Sequence, residues 1–267
     1  MLFRSQASGG GRLTTLPADR LAERAAESLG GTAAAEAGVR IVTTKHQKTK
    51  MTRIPNDINQ VFEELKREII WLHGRWIIYR QLFAESRKRL DLLNECASSF
   101  FYIVQDVLYG EIQVSLSKLS DPAHSGKFKN LSLEQLQLQL EFYGDKHLAT
   151  GNRLILDELH LKCEPFRLWR NKRLAHLDLD TAMKVSPDPL PGISRQMIED
   201  ALELIRRYMN QIEGQYDDSE TAYQYFAMRS DGDALVSVLR DGLRYRELSK
   251  EKVIPFDDRR HGKWHGV

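Results

Sequence analysis

From Asn56 onward the apolar positions fall into helical stripes. Ile58, Phe62, Leu65, Ile69, Leu72, Trp76, Tyr79 and Phe83 are separated by steps of four and three, which sets all eight on one side of a long helix. Pro55 stands just before it, where a proline is tolerated. A second stripe runs through Leu90, Leu93, Ala97, Phe101, Val104, Leu108, Ile112, Leu116 and Leu119 and is stopped by Asp121-Pro122. Residues 123–130 then read as a polar loop containing Gly126. Ser132 and Gln135 have capping-box spacing and start a short helix with Leu133, Leu136 and Leu140, which Gly144 breaks. A fourth helix passes through Ile155, Leu159, Cys163 and Phe166, with a kink expected at Pro165, and runs into residues 170–176. Pro187, Pro189 and Pro191 forbid helix after that segment. Ser194 caps a stripe of Ile198, Leu202, Ile205, Met209 and Ile212, and a last helix covers roughly Asp233 to Leu248 with Val236, Leu239 and Leu243. No alternating strand pattern and no solenoid repeat is visible. The expected fold class is all-α, an antiparallel helical bundle of four to six helices spanning residues 56–247.

Both ends differ from this middle. Residues 1–50 hold Ser8-Gly9-Gly10-Gly11, Gly30-Gly31 and Ala33-Ala34-Ala35 with few large apolar side chains, too little to offset the entropy of ordering. Either they are a disordered extension, with Leu21 to Leu29 a short frayed helix, or Met51 is the true start. Residues 248–267 are expected to be a loose tail.

Composition removes several classes of function. Hydrophobic residues make up 42% of the chain, enough for a core. A net charge of +2, from 39 basic and 37 acidic residues, gives no global case for nucleic acid or an anionic membrane. Cys96 and Cys163 are far apart and in apolar helical contexts, so neither a disulfide framework nor a zinc site is expected. No run approaches the ~20 apolar residues of a membrane span, and no signal-peptide core is present at the N-terminus. A cytoplasmic protein without cofactor or metal is the expectation. His261 and His265, four apart beside Trp264, are too few ligands for a metal site. Arg240, Arg244 and Arg246 are mixed with Asp241 and Glu247 and read as a solvated face. No glycine-rich phosphate loop follows a strand.

Chemistry is concentrated in Trp169-Arg170-Asn171-Lys172-Arg173-Leu174-Ala175-His176-Leu177-Asp178. A histidine moves a proton near neutral pH, and an arginine holds the extra negative charge that builds on phosphorus during phosphodiester cleavage. The nucleophile would be the 2′-hydroxyl, so the substrate would be RNA. On a regular helix residues six apart point about 120° away from each other, which separates Arg170 from His176 but puts Arg173 and His176 on one face. Either the helix is irregular here, or the site is completed across a symmetric dimer. Asp178 and Asp180 are either an orienting carboxylate for the imidazole or ordinary solvated acids, the latter being commoner. Trp169 and Phe166 could stack a base, but their place on an apolar face favours core packing.

This motif, together with Leu119-Ser120-Asp121-Pro122 and Asn130-Leu131-Ser132-Leu133, resembles the abortive-infection AbiU-like branch of the HEPN superfamily over roughly residues 56–247. The resemblance implies a bundle that dimerises around the motif and, in many relatives though not all, metal-independent endoribonuclease activity in phage defence or toxin–antitoxin systems. It carries the acid/base role to His176, the phosphate-stabilising role to Arg170 and a supporting polar role to Asn171. Arg173 and Asp178 are supporting candidates from spacing alone. Expected partners are RNA, a second copy of the chain, and an antitoxin or other protein. The alternative is a non-catalytic HEPN-like module that binds RNA or a protein.

Overall fold

The computed structural model describes the backbone of residues 43–45 and then residues 53–225 and 228–254. The expectations for Leu21–Leu29, His261 and His265 lie outside these residues. A strand β1 (Thr43–Lys45) precedes α1 (Asn56–Phe83) and α2 (Arg87–Leu119). A hairpin of β2 (His124–Ser125) and β3 (Phe128–Lys129) leads to α3 (Leu133–Tyr143) and α4 (Lys146–Trp169). After residues 170–178 come α5 (Leu179–Met183), α6 (Arg195–Tyr216), β4 (Ser219–Thr221) and α7 (Gly232–Lys250). The fold is all-α with little strand, and among the described residues no helix is long and apolar enough to cross a membrane.

The stripes become the core. Ile58, Phe62, Leu65, Ile69 and Leu72 of α1 are at most 1% exposed, and Trp76 follows at 2%. They pack in one cluster with Ile112 and Leu116 of α2, Leu136 and Leu140 of α3, Leu156 and Leu159 of α4, and Leu202, Ile205 and Met209 of α6. Each such side chain contributes about 1.5–3 kcal/mol on burial. The caps fall where the sequence puts them. Ser132 accepts from the backbone of Gln135, Ser194 from that of Met197, and Gly144 closes α3. A side chain at Gly144 would place its Cβ 2.6 Å from the Leu140 carbonyl, so only glycine fits without a shift.

α4 is the central strut. Asn152 Nδ2 donates to the Tyr208 carbonyl of α6 at 3.1 Å, and Gln137 Nε2 of α3 donates to the Ala149 carbonyl at 2.8 Å. The Tyr208 hydroxyl donates to Gln137 Oε1 at 3.1 Å. This buried chain of polar bonds fixes α3, α4 and α6 along their lengths, because breaking it leaves desolvated groups without partners.

Three details depart from the sequence reading. Residues 123–130 are a tight hairpin rather than a featureless loop. Its strands are two residues long, too short for any alternation to show. Thr43–Lys45, inside the segment assigned to the extension, pairs antiparallel with β4; Thr43-Thr44 is β-branched and suits a strand. α2 leaves helical geometry at Ala97 (φ −164°, ψ 72°), which divides it into two rods.

His73 of α1 is 2% exposed and stacks on Tyr223 with ring centroids 5.8 Å apart. Burial, and then the nearby Arg206, hold its pKa down at about 3. A depressed histidine pKa means that the unfolded state takes up the proton first. The stability due to the neutral ring is therefore present above the unfolded value of about 6.5 and lost as pH falls from there toward 3. Urea unfolding at pH 7 and pH 4.5 should show a loss of stability that is smaller in His73→Phe than in wild type. An equal loss in both would show that His73 does not carry this dependence.

Candidate active site at the end of α4

The motif reaches the surface where α4 changes its winding. Leu159, Cys163 and Phe166 are fully buried, so the last turns of α4 are fastened to the core. Burial pushes the Cys163 thiol up to about 11, which makes it a packing residue and not a nucleophile at neutral pH. Trp169 is half-buried and donates Nε1–H to the Pro191 carbonyl at 2.7 Å. Phe166 and Trp169 are thus structural, as their spacing suggests.

Beyond Trp169 the helix widens. The Ala175 N–H donates to the Arg170 carbonyl five residues back at 2.7 Å, so Arg170–Leu174 is a π turn, and none of its five residues is buried. Such turns are rare and frequent at functional sites. The Asp178 N–H then donates to the Lys172 carbonyl at 3.1 Å, and His176 lies exposed in the bend between the π turn and α5. The helix is irregular here, but the irregularity does not bond Arg170 to His176. It also corrects the pairing of Arg173 with His176: helical spacing of three no longer applies, because the helix has ended before His176. Arg173 is simply exposed.

Arg170 is the most tightly held residue of the motif. Its Nη1 donates to Asp121 Oδ2 at 2.6 Å, and its Nε donates to Asn171 Oδ1 at 3.3 Å. Each member of the Arg170–Asp121 pair keeps about a fifth of its side chain exposed, so the pair is shielded but open to a ligand on one side. One turn earlier, Arg167 Nη1 donates to the Ser120 carbonyl at 3.2 Å and to Ser120 Oγ at 3.3 Å, while Nη2 donates to the His160 carbonyl at 2.8 Å. Ser120 in turn donates its hydroxyl to the Ser117 carbonyl. The end of α2 is therefore a docking point for Arg167 of α4 and Arg170 of the π turn. Asn130 Nδ2 donates to the Pro122 carbonyl at 2.7 Å and to Ser125 Oγ at 2.9 Å, tying the hairpin to the same corner. Two of the stretches outside the motif thereby acquire physical roles.

The supporting acid does something else. Asp178 accepts from the Thr181 backbone at 2.9 Å and caps α5, and hydrogen bonds from Thr181 hold its carboxyl below the usual carboxylate range. Its carboxylate is engaged with α5 and not with the imidazole of His176. Asp121 and Ser120 enter the sequence reading as a helix end and as part of a stretch that carries the resemblance, without a role in the site, and Arg167 does not enter it at all.

Arg170's bonds go to Asp121 and Asn171, not to His176. The π turn and the bend after it present an arginine with a fixed guanidinium, a neighbouring carboxamide, and an accessible imidazole. Beside it runs an apolar strip. Phe100, Ile103 and Val107 of α2 are 59–61% exposed at spacings of three and four, and Gly110 continues the line one turn on. Leu174 of the π turn packs against Gly110, its Cδ2 3.5 Å from where a Cβ would stand. The strip therefore ends at the motif. Among the described residues no group of three or more histidines, cysteines or acids could hold a metal ion.

A family model described as AbiU2, of the HEPN type, matches residues 56–235, which takes in α1 through the first turn of α7 and the whole motif. Neither a curated protein nor a solved structure matches the chain. With two thirds of its length matched, the chain belongs to the AbiU2 family of HEPN domains, a HEPN-type abortive-infection module.

Proposed function

We propose that this chain is a homodimeric, metal-independent endoribonuclease acting in abortive infection or as the toxin of a toxin–antitoxin pair. The observation that carries the reading is the grouping of Arg170 and Asn171 on an unburied π turn with His176 exposed in the bend that follows it. In the reaction, one imidazole takes the proton of a 2′-hydroxyl, whose oxygen attacks the adjacent phosphorus. Arg170 stabilises the charge on the non-bridging oxygens with planar donors, and an imidazolium returns a proton to the departing 5′-oxygen. Asn171 holds Nε of Arg170 from one side and Asp121 holds Nη1 from the other, so the guanidinium is oriented before substrate arrives.

Two features favour a site shared by two copies. Arg170 and His176 are not bonded to each other within one chain. The exposed strip Phe100–Ile103–Val107, continuous with Leu174, offers a second copy an apolar seat that ends at the motif. In a two-fold pair built there, each His176 would meet the arginine of its partner. A second reading has one specific observation in its favour. The Asp121 carboxylate already occupies Arg170, which suits a module that binds RNA or protein without cutting.

Wild type should cut a panel of single-stranded and structured RNAs in excess chelator. Arg170→Ala and His176→Ala should each lower the rate by roughly 10²–10⁴-fold, the usual range for a lost charge-stabilising or proton-transfer group. Unchanged cleavage by His176→Ala sinks the proposal. Asp121→Ala should lower stability by about 1–3 kcal/mol in urea, as expected for a lost bond to a charged group. It should also slow cleavage, with Asp121→Glu recovering part of the rate. Faster cleavage by Asp121→Ala would mean that the acid restrains Arg170 instead of positioning it.

A further inference from the structure

The hairpin between α2 and α3 stands at the corner that holds Arg170, and its exposed side chains are basic and aromatic. His124, Lys127, Phe128 and Lys129 are all exposed, Phe128 at 67%, and no acidic residue occurs between Pro122 and Leu133. An aromatic ring left in water on a two-stranded hairpin contributes nothing to folding. The backbone is nevertheless firmly built. His124 pairs with Lys129 and Ser125 with Phe128, across a two-residue turn whose first residue, Gly126, has φ +59°. Ala123 at its base is buried, the Asn130 N–H donates to the Ala123 carbonyl at 2.8 Å, and the Asn130 side chain closes the loop from the other side. The structure thus spends its bonds on presenting these side chains rather than on covering them.

Their arrangement matches one ligand chemistry. The Lys127 ammonium lies 5.7 Å from the centroid of the Phe128 ring, and Lys129 is the neighbour of Phe128 in the strand. An exposed aromatic face with cations beside it is what proteins use to stack an unpaired base and hold its phosphates. The hairpin begins three residues after Asp121, the partner of Arg170 at 2.6 Å. Four residues span at most about 14 Å, so Ser125 and the Phe128 paired with it stay within a few nucleotides of the phosphate that Arg170 would hold.

We propose that the His124–Lys129 hairpin is a binding subsite for single-stranded RNA, with Phe128 stacking an unpaired base a few nucleotides from the cut and Lys127 and Lys129 on the flanking phosphates. The subsite rests on the ribonuclease reading for its register to the cut, but its binding role is separable from cleavage. It confers a preference for unpaired RNA, since a base in a duplex cannot be splayed onto the ring.

The test uses the full-length chain carrying His176→Ala, so that RNA is not consumed. Binding of a fluorescein-labelled oligouridine and of a labelled RNA duplex is measured by anisotropy over a range of salt. Phe128→Ala should weaken oligouridine binding about 5- to 150-fold, the range for loss of one stacked base. Phe128→Trp should bind as well as the parent, and the duplex should be affected much less by either change. Lys127→Ala with Lys129→Ala should reduce the slope of log affinity against log salt by about one to two. Phe128 is exposed, so thermal melts should be unchanged. Equal oligouridine affinity for Phe128→Ala and its parent overturns the subsite, even if wild type cleaves RNA. So does an equal loss on the duplex. A change in oligomeric state in Phe128→Ala would also overturn it, by making the ring a contact between copies. If wild type fails to cleave while Phe128 still governs oligouridine binding, the subsite stands and the ribonuclease reading falls.

Discussion

Phe166 and Arg170 lie one turn apart on the same helix and are pinned to different things, and the site exists because both pins must hold. Phe166 is sealed in the core, which fixes the axis and rotation of α4. Arg170 is tied across to Asp121 at the end of α2 by a short charged bond. From Arg170 onward the helix opens to a π turn, none of whose residues is buried. Arg167 gripping Ser120 reinforces the same junction. The buried chain Asn152–Tyr208–Gln137 stiffens α4 from behind, so the junction is set on a rigid support and not on a loop.

The groups that the proposed reaction needs, an oriented guanidinium and an open imidazole, lie on the π turn and in the bend after it, and within a single chain they are not bonded to each other. The uncovered strip along α2 ends beside this turn, through Leu174 on Gly110. A two-fold contact there would bury the strip and complete the site in one event, and so make activity depend on assembly. The hairpin at the same corner adds a basic, aromatic surface on which an RNA strand could lie.

Much of the bundle was legible because its core is large and regular. The stripe from Ile58 to Phe83 could face only one way, and Ser132, Ser194 and Gly144 mark helix ends by local chemistry that needs no tertiary context. The hairpin was not legible: two residues per strand carry no period. The motif's residues could be named, but not their roles in space. Arg173 was assigned from regular helical spacing, and the π turn removes that spacing. Asp178 lies close to His176 in sequence but spends its carboxylate on the start of α5. Asp121, which orients Arg170, is 49 residues away from it in the chain, and a lone acid after a helix has a sufficient local explanation.

The most direct test is the chemistry of the cut ends. RNA digested by the full-length wild-type chain in excess chelator is analysed by mass spectrometry, with a matched oligonucleotide carrying a single 2′-deoxy residue 5′ to the main cleavage site. Attack by the neighbouring 2′-hydroxyl should leave a 2′,3′-cyclic phosphate and a 5′-hydroxyl, and the 2′-deoxy residue should abolish cleavage at that site alone. Products ending in 5′-phosphate, or cleavage that persists at the deoxy position, would contradict the role given to Arg170 and His176.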